Sequence, residues 1–173
     1  MRVRHDPLAD PRPLIKRVYA YVAYRIGDGA EAEDVTSATF ERALRYRESF
    51  DPSRGDAASW LIGIARRCIA DAMQGREIPM DDVPDLPGEG HEDFVLNQLD
   101  LREAVGRLDD RDRELIALRF GADLSARQIA EVLELKTNAV EVALHRALAR
   151  LRRSLETNEA PAAELVLKPK PSP

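Results

Sequence analysis

Apolar residues recur every three or four positions over most of the chain, which predicts helices rather than strands. A first helix has the apolar stripe Leu14, Ile15, Val18, Tyr19, Val22 and Ile26. After Gly27-Asp28-Gly29, a second helix from about Ala30 has on one side Val35, Thr39, Ala43 and Tyr46, with Phe40 and Leu44 beside them. A third helix, from about Ala57 to Met73, is predicted to face the interior with Trp60, Leu61, Ile64, Cys68, Ile69 and Ala72.

The helical pattern stops at residues 77–93, which are rich in proline, glycine and acidic side chains. Such a segment has too few apolar residues to bury a core, so we interpret it as a linker. The predicted organisation is a helical domain at 1–76, the linker at 77–93, a second helical domain at 94–156 and a disordered tail at 157–173. The fold class is all-α, with two small domains.

The second domain contains the layout of a helix-turn-helix. Ser125 and Gln128 form a capping-box pair that opens a short helix. After Glu134-Leu135-Lys136, a longer helix begins near Thr137 and has the apolar repeat Val140, Leu144, Leu148, Leu151 and Leu155. This register predicts that five residues of the longer helix face solvent: Ala139, Val142, Arg146, Ala149 and Arg153.

Composition restricts the class of protein. The chain has 173 residues, a net charge of -5 and one cysteine, so no intrachain disulfide can form. No run approaches the roughly 20 apolar residues of a membrane span, which predicts a cytoplasmic protein without membrane insertion. The acidity is concentrated at residues 77–107, so the two helical parts are close to neutral.

Catalytic signals are weak. His5, His91 and His145 are scattered, and there is no glycine-rich phosphate-binding loop. The acidic residues that follow Ala30 are better explained by the positive end of a helix dipole than by a metal. We therefore expect no enzyme activity, no cofactor and no metal.

From about Leu14 to Glu156 the chain resembles sigma factors of the extracytoplasmic-function type. The resemblance rests on four segments in the family's order. They are Ala32-Glu33-Asp34-Val35 through Arg42-Ala43; Ala58-Ser59-Trp60-Leu61 with Ile64-Ala65-Arg66; Leu108 through Leu118-Arg119-Phe120; and Leu124-Ser125 through Arg150-Leu151-Arg152.

The resemblance implies partners and residue roles. The partners are core RNA polymerase (its clamp and flap), promoter DNA and an anti-sigma factor. The residues implied for the polymerase are Glu33, Asp34 and Phe40. Those for the minus-ten element are Ser53, Arg54, Trp60, Arg66, Arg67 and Arg76. Those for the minus-thirty-five element are Arg127, Lys136, Thr137, Asn138, Glu141, Val142, His145, Arg146 and Arg150.

The sequence departs from the family pattern at several positions. Ser37-Ala38 replaces the usual Gln-acidic pair, and Glu134 occupies the usual glycine of the turn. Glu141 and Ala143 stand where the recognition helix is usually basic. A glutamate at the groove can accept a hydrogen bond from cytosine N4, which predicts an altered promoter preference.

Two other functions are compatible with these residues. A sigma mimic would keep the fold to bind an anti-sigma factor without starting transcription, and the missing Gln-acidic pair favours it. A helix-turn-helix regulator would use only the second domain and would form a dimer on a palindromic site.

Overall fold

A computed structural model of the chain describes residues 6–74 and 100–159. The predicted linker at 77–93 and residues 160–173 of the predicted tail lie outside the described residues, as does Arg76. The described part contains helices and turns and no strand, which confirms the all-α prediction. No helix within it is both long enough and apolar enough to cross a membrane.

Seven α-helices occur in the described residues. They are α1 (Pro11–Ile26), α2 (Ala30–Tyr46), α3 (Ala57–Gln74), α4 (which includes 100–106), α5 (Asp110–Ile116), α6 (Ala126–Leu133) and α7 (Thr137–Glu159). A π-helical segment, Ala117–Gly121, extends α5. We call α1–α3 the first lobe and α4–α7 with the π-helical segment the second lobe.

Local chemistry explains where the helices begin. The carboxylate of Asp109 accepts a hydrogen bond from the backbone N–H of Asp112 at 2.8 Å, which caps α5. The predicted capping box of α6 is confirmed, because Ser125 and Gln128 each bond the other's backbone N–H through their side chains. These caps satisfy N–H groups that have no partner inside the helix.

The two lobes share one hydrophobic core. Val18, Tyr21 and Val22 of α1 pack in the same buried cluster as Leu118 and Leu124 of the second lobe. A smaller cluster joins α4 to α7 within the second lobe. Apolar surface of each lobe is therefore removed from water by the other, and the two predicted domains pack against each other within the described residues.

Some predicted interior positions are wrong. Ile15, Leu44 and Tyr46 are about half exposed, and Leu148 is 37% exposed. Tyr21 and Ala147 are instead almost completely buried. On α1 the buried positions differ from the prediction because this helix packs against α2, α3 and the π-helical segment together. Contacts from three sides set its buried face. In addition, α7 continues to Glu159, three residues into the predicted disordered tail.

The turn of the helix-turn-helix has a left-handed residue where the family usually has glycine. Glu134 has φ 56° and ψ 42°, and the next backbone N–H, from Leu135, bonds the carbonyl of Ala130 at 2.9 Å. A side chain with a Cβ is strained in this region, by about 1 kcal/mol or more. The strain is local to the turn that sets the angle between α6 and α7.

We expect Glu134→Gly to raise the free energy of unfolding by about 1 kcal/mol, because glycine adopts this conformation without steric cost. Urea denaturation of the full chain measures the change. A matched control is Ala149→Gly, at an exposed position inside α7. It should lower the free energy of unfolding by about 1 kcal/mol. A loss of stability in Glu134→Gly contradicts the prediction.

Candidate nucleic-acid interface

Helix α7 presents an exposed polar face directly after the turn. Glu141, Val142, His145 and Arg146 are all exposed, whereas Val140 is buried against the core. The register predicted from the apolar repeat is therefore confirmed for Ala139, Val142, Arg146, Ala149 and Arg153, which all face solvent. Val142, a side chain of intermediate size between charged ones, is suited to approach base edges in a major groove.

A groove of about 520 Å³ runs along this face. It is lined on the α7 side by Asn138, Val142, Arg146 and Arg150, with Lys136 from the turn and Arg111 from α5 among its other residues. The predominance of basic side chains makes the groove attractive to phosphate groups. Arg111 was not predicted as a site residue, and its place at the start of α5 becomes adjacent to α7 only through folding.

The basic residues of this surface are not equivalent. Arg150 donates to the carboxylate of Asp112 at 2.6 Å, and the Asp112 side chain is 5% exposed. This hydrogen bond and the charge of Asp112 raise the pKa of Arg150 above its ordinary value. Arg127 pairs with Glu131 along α6. Lys136 and Arg146 are exposed and form no ion pair with another described residue. Arg150 thus has a structural role, whereas Arg146 is available to a ligand.

The loop before α3 is ordered by its own side chains. The carboxylate of Asp51 accepts hydrogen bonds from the backbone N–H and the hydroxyl of Ser53, at 3.0 and 2.7 Å. Asp56 caps α3 by accepting from the backbone N–H of Ser59 at 2.8 Å. Ser53 and Arg54 remain exposed at the tip. The loop therefore has a defined base and an accessible tip.

Trp60 lies at the base of this loop. Its ring centroid is 5.4 Å from that of Phe50, with the planes inclined by 59°. Trp60 is partly buried, so one part of its side chain packs in the core and another part lies beside the loop. The adjacent Ser59 hydroxyl is buried and has no hydrogen-bond partner among the described residues. The accessible part of the Trp60 ring is suited to contact with a base that has left its stack.

The other predicted residues of the first lobe lie on two surfaces. Glu33 and Asp34 are exposed and Phe40 is partly buried, all on α2. On α3, Arg67 is exposed, whereas Arg66 points to the second lobe. The structure therefore does not bring Arg66 and Arg67 to one surface.

A single carboxylate of the second lobe binds three side chains of the first. Glu114 of α5 accepts hydrogen bonds from the Tyr21 hydroxyl at 3.0 Å and from Arg66 Nε at 2.9 Å. Arg25 Nε lies 2.6 Å from its other oxygen, an ion pair outside hydrogen-bond geometry. The Glu114 side chain is 12% exposed and that of Arg25 is 10% exposed. We call these four residues the Glu114 cluster.

Burial and neighbouring charges raise the pKa values of two members of the Glu114 cluster, Tyr21 and Arg25. Burial raises the pKa of the Tyr21 hydroxyl far above its ordinary value of 10.0, and the charge of Glu114 raises it further. Tyr21 is therefore a neutral donor at physiological pH. Burial lowers the pKa of Arg25, but the neighbouring carboxylates of Glu114 and Asp110 outweigh it, and the net pKa is raised. The cluster is a carboxylate held by two cations and one hydroxyl.

Sequence reasoning missed the Glu114 cluster and the contacts around it. Tyr21 follows Val18 at helical spacing, and this spacing could have placed it on the buried face. Glu114 and Arg25 gave no signal, since charged residues in helices are usually solvated. Their pairing depends on how the two lobes dock on each other, and the paired residues are distant in the chain.

Family comparisons match both lobes. Sigma-70 region 2 matches residues 12–77, and Sigma-70, region 4 matches residues 98–151. Together these matches cover the three helices of the first lobe and the helix-turn-helix of the second. The order of the two regions is that inferred from the sequence segments.

Individual relatives agree. The chain is 36% identical over 151 residues to the ECF RNA polymerase sigma factor BldN of Streptomyces coelicolor, covering 80% of this chain but only 56% of BldN. It is 29% identical to ShbA of Streptomyces griseus, covering 88% of this chain and 87% of ShbA.

The fold is also found among solved structures. The sigma factor RpoE of Bartonella quintana, solved in complex with the anti-sigma factor NepR, matches with a TM-score of 0.70 and 20% identity. The match covers 84% of this chain and 93% of that one. Two family regions in sequence order, sigma-factor relatives and a shared fold lead to one assignment. The chain belongs to the RNA polymerase sigma factors of the extracytoplasmic-function type.

Proposed function

We propose that this chain binds core RNA polymerase in the cytoplasm and directs it to promoters, where it recognises two DNA elements and starts melting. The observation that carries the proposal is the exposed face of α7, in a helix-turn-helix that follows a sigma region 2 lobe. A regulator that used only the second lobe would leave the first lobe without a role. The two matched regions favour initiation.

Each surface has a role in this proposal. Glu33, Asp34 and Phe40 on α2 contact the polymerase clamp. The loop tip at Ser53 and Arg54, with Trp60 at its base, holds a flipped base of the minus-ten element, and Arg67 contacts its backbone.

The second lobe reads the minus-thirty-five element in this proposal. Thr137 and Asn138 lie at the start of α7, directly after Lys136 of the turn, and its backbone N–H groups and the lysine favour phosphate. Glu141, Val142, His145 and Arg146 approach the bases. Arg127 and Arg150 flank this face, but their ion pairs with Glu131 and Asp112 make them the weaker candidates for DNA contact.

An anti-sigma factor is the third proposed partner. The Bartonella quintana sigma factor that shares this fold is bound to one, NepR. We infer that a protein of the same kind binds this chain and controls its access to polymerase.

Transcription in vitro tests the proposal. Purified full-length protein and core polymerase are given fragmented genomic DNA of the source organism, and RNA 5′ ends are sequenced. Discrete start sites preceded by two spaced elements are the expected result. The absence of starts above those of core polymerase alone, from folded protein, contradicts initiation and favours a sigma mimic.

We expect Arg146→Ala to weaken binding of minus-thirty-five DNA by about 1–3 kcal/mol, because an exposed arginine that contacts a base is lost. Its free energy of unfolding should stay within about 0.5 kcal/mol of the original. Fluorescence anisotropy with a labelled duplex measures the binding. Unchanged affinity contradicts the role of Arg146.

The matched variant Arg150→Ala should behave in the opposite way. Removal of Arg150 leaves the Asp112 carboxylate buried without its cation, so we expect a loss of about 1–3 kcal/mol in the free energy of unfolding. Urea denaturation measures it. A stable Arg150→Ala protein with a large loss of DNA affinity would show that Arg150 binds DNA.

Glu141 is expected to select cytosine. Its carboxylate can accept from the N4 amino group, so Glu141→Ala should reduce discrimination for one C·G pair by about 1–3 kcal/mol. Selection of bound sequences from a randomised minus-thirty-five element compares the two proteins. An unchanged preference at every position rules out base contact by Glu141.

A further inference from the structure

Val142 is an apolar side chain in the middle of a polar, basic surface. It is 49% exposed and lies in the groove of about 520 Å³ beside α7. Asn138 and Arg146, one turn away on either side, are exposed and line the same groove. A single exposed valine is ordinary on a protein surface, but this one occupies the centre of the face proposed to contact bases. A duplex bound to this face removes it from water.

The spacing of these three residues places them along one line of the helix. Residues four positions apart lie on the same face, and they are about 6 Å apart along the axis at about 1.5 Å per residue. Successive base pairs are about 3.4 Å apart. Each step along this line therefore corresponds to about one or two base pairs. Val142 meets a base pair that lies between those met by Asn138 and Arg146.

The three side chains need different partners. Arginine binds the O6 and N7 acceptors of guanine, and asparagine binds adenine through its N6 and N7 groups. The valine side chain has no hydrogen-bonding group, so it gains free energy only when apolar surface is removed from water. The apolar group that a base edge presents in the major groove is the C5-methyl group of thymine. 5-Methylcytosine has the same methyl group at the same ring position.

The surroundings of Val142 allow a base edge to come close. Ala139 is exposed and Ala143 is partly buried, and both line the groove with small side chains. Lys136 and Arg111 also line the groove and attract phosphate groups. The groove thus combines basic groups that hold the DNA backbone with an apolar centre that projects beyond its small neighbours.

We propose that Val142 binds the C5-methyl group of one pyrimidine in the minus-thirty-five element. Thymine and 5-methylcytosine are then bound at this position more tightly than uracil and cytosine, which lack the methyl group. The inference rests on the proposed function and names the chemical group that its DNA site selects. A consequence is that methylation of a cytosine at this position strengthens promoter binding.

The proposal is tested on the complex of the full chain with core polymerase, using promoter fragments identified by start-site mapping. Every base pair contains one pyrimidine, so a scan covers every position of the minus-thirty-five element. Each thymine is replaced singly by uracil, and each cytosine by 5-methylcytosine, which removes or adds one methyl group and changes nothing else. Fluorescence anisotropy of the labelled fragment measures the Kd.

One position of the element is expected to respond. Burial of one methyl-sized group contributes about 0.8 kcal/mol, which corresponds to about a fourfold change in Kd. Loss of the methyl group there should weaken binding about fourfold, and gain of one should strengthen it by the same factor. An original protein that binds every fragment with the same Kd overturns the proposal.

The contact is assigned to Val142 by combining protein and DNA changes. In Val142→Ala the methylated and unmethylated fragments should bind equally, because the partner of the methyl group is missing. The matched control is Leu148→Ala, since Leu148 is 37% exposed on the same helix but lies outside the groove lining. The control should keep the fourfold difference between fragments. Circular dichroism establishes that both variants keep their helices.

Two results would remove Val142 from this role. One is a methyl effect of the same size in Val142→Ala as in the original protein. The other is a loss of affinity of Val142→Ala for core polymerase in the absence of DNA, which would show that the side chain contacts protein instead.

The two sources of the methyl group are compared at the responding position. Its base pair is exchanged so that thymine, uracil, 5-methylcytosine and cytosine are each present in otherwise identical fragments. Each methylated base is expected to bind about fourfold more tightly than its counterpart without the methyl group. A difference between thymine and uracil alone overturns the proposed effect of cytosine methylation.

Start sites separate this inference from the function on which it rests. An absence of start sites contradicts the proposed function, and the inference then fails with it. Start sites from a promoter whose Kd is the same with and without each methyl group contradict the inference alone.

Discussion

The Glu114 carboxylate is the group on which the arrangement of the two lobes depends. It is largely buried and is held by two guanidinium groups and a hydroxyl, all from the opposite lobe. Burying a charge is costly unless it is paired and hydrogen-bonded, so the carboxylate is stable in this place only while α1 and α3 are docked. The apolar core supplies most of the favourable energy of docking, but apolar contacts are not directional. The buried charge restricts docking to one register.

Close packing and this polar cluster support each other. The π-helical segment that follows α5 brings Gly121 against the backbone of Tyr21, and Tyr21 is also a donor to Glu114. Contact without a Cβ is possible only at glycine. Glu114 and Gly121 lie within eight residues of each other, so one short stretch of the second lobe supplies both the charge and the close approach.

The same geometry gives the basic residues of a DNA-binding protein different tasks. Arg66 and Arg150 are paired with carboxylates of low exposure, whereas Arg146 and Lys136 are exposed on the groove beside α7. A net charge of -5 is compatible with promoter binding because affinity depends on local phosphate contacts rather than on total charge.

The sequence by itself determined the helical class, the cap of α6 and the family. Helical periodicity, the Ser125–Gln128 capping box and the outward face of α7 are local properties, decided within a turn or two of the chain. The sequence also indicated a strained turn at Glu134, and the backbone of this residue lies in the left-handed region. Only the tertiary structure decided that Tyr21 is buried, that Ile15 is not, and that Arg66 and Glu114 meet. The hydrogen bonds of Arg66 and Tyr21 to Glu114 join residues 48 and 93 positions apart, and no local pattern specifies which charged residue of one lobe will face which of the other.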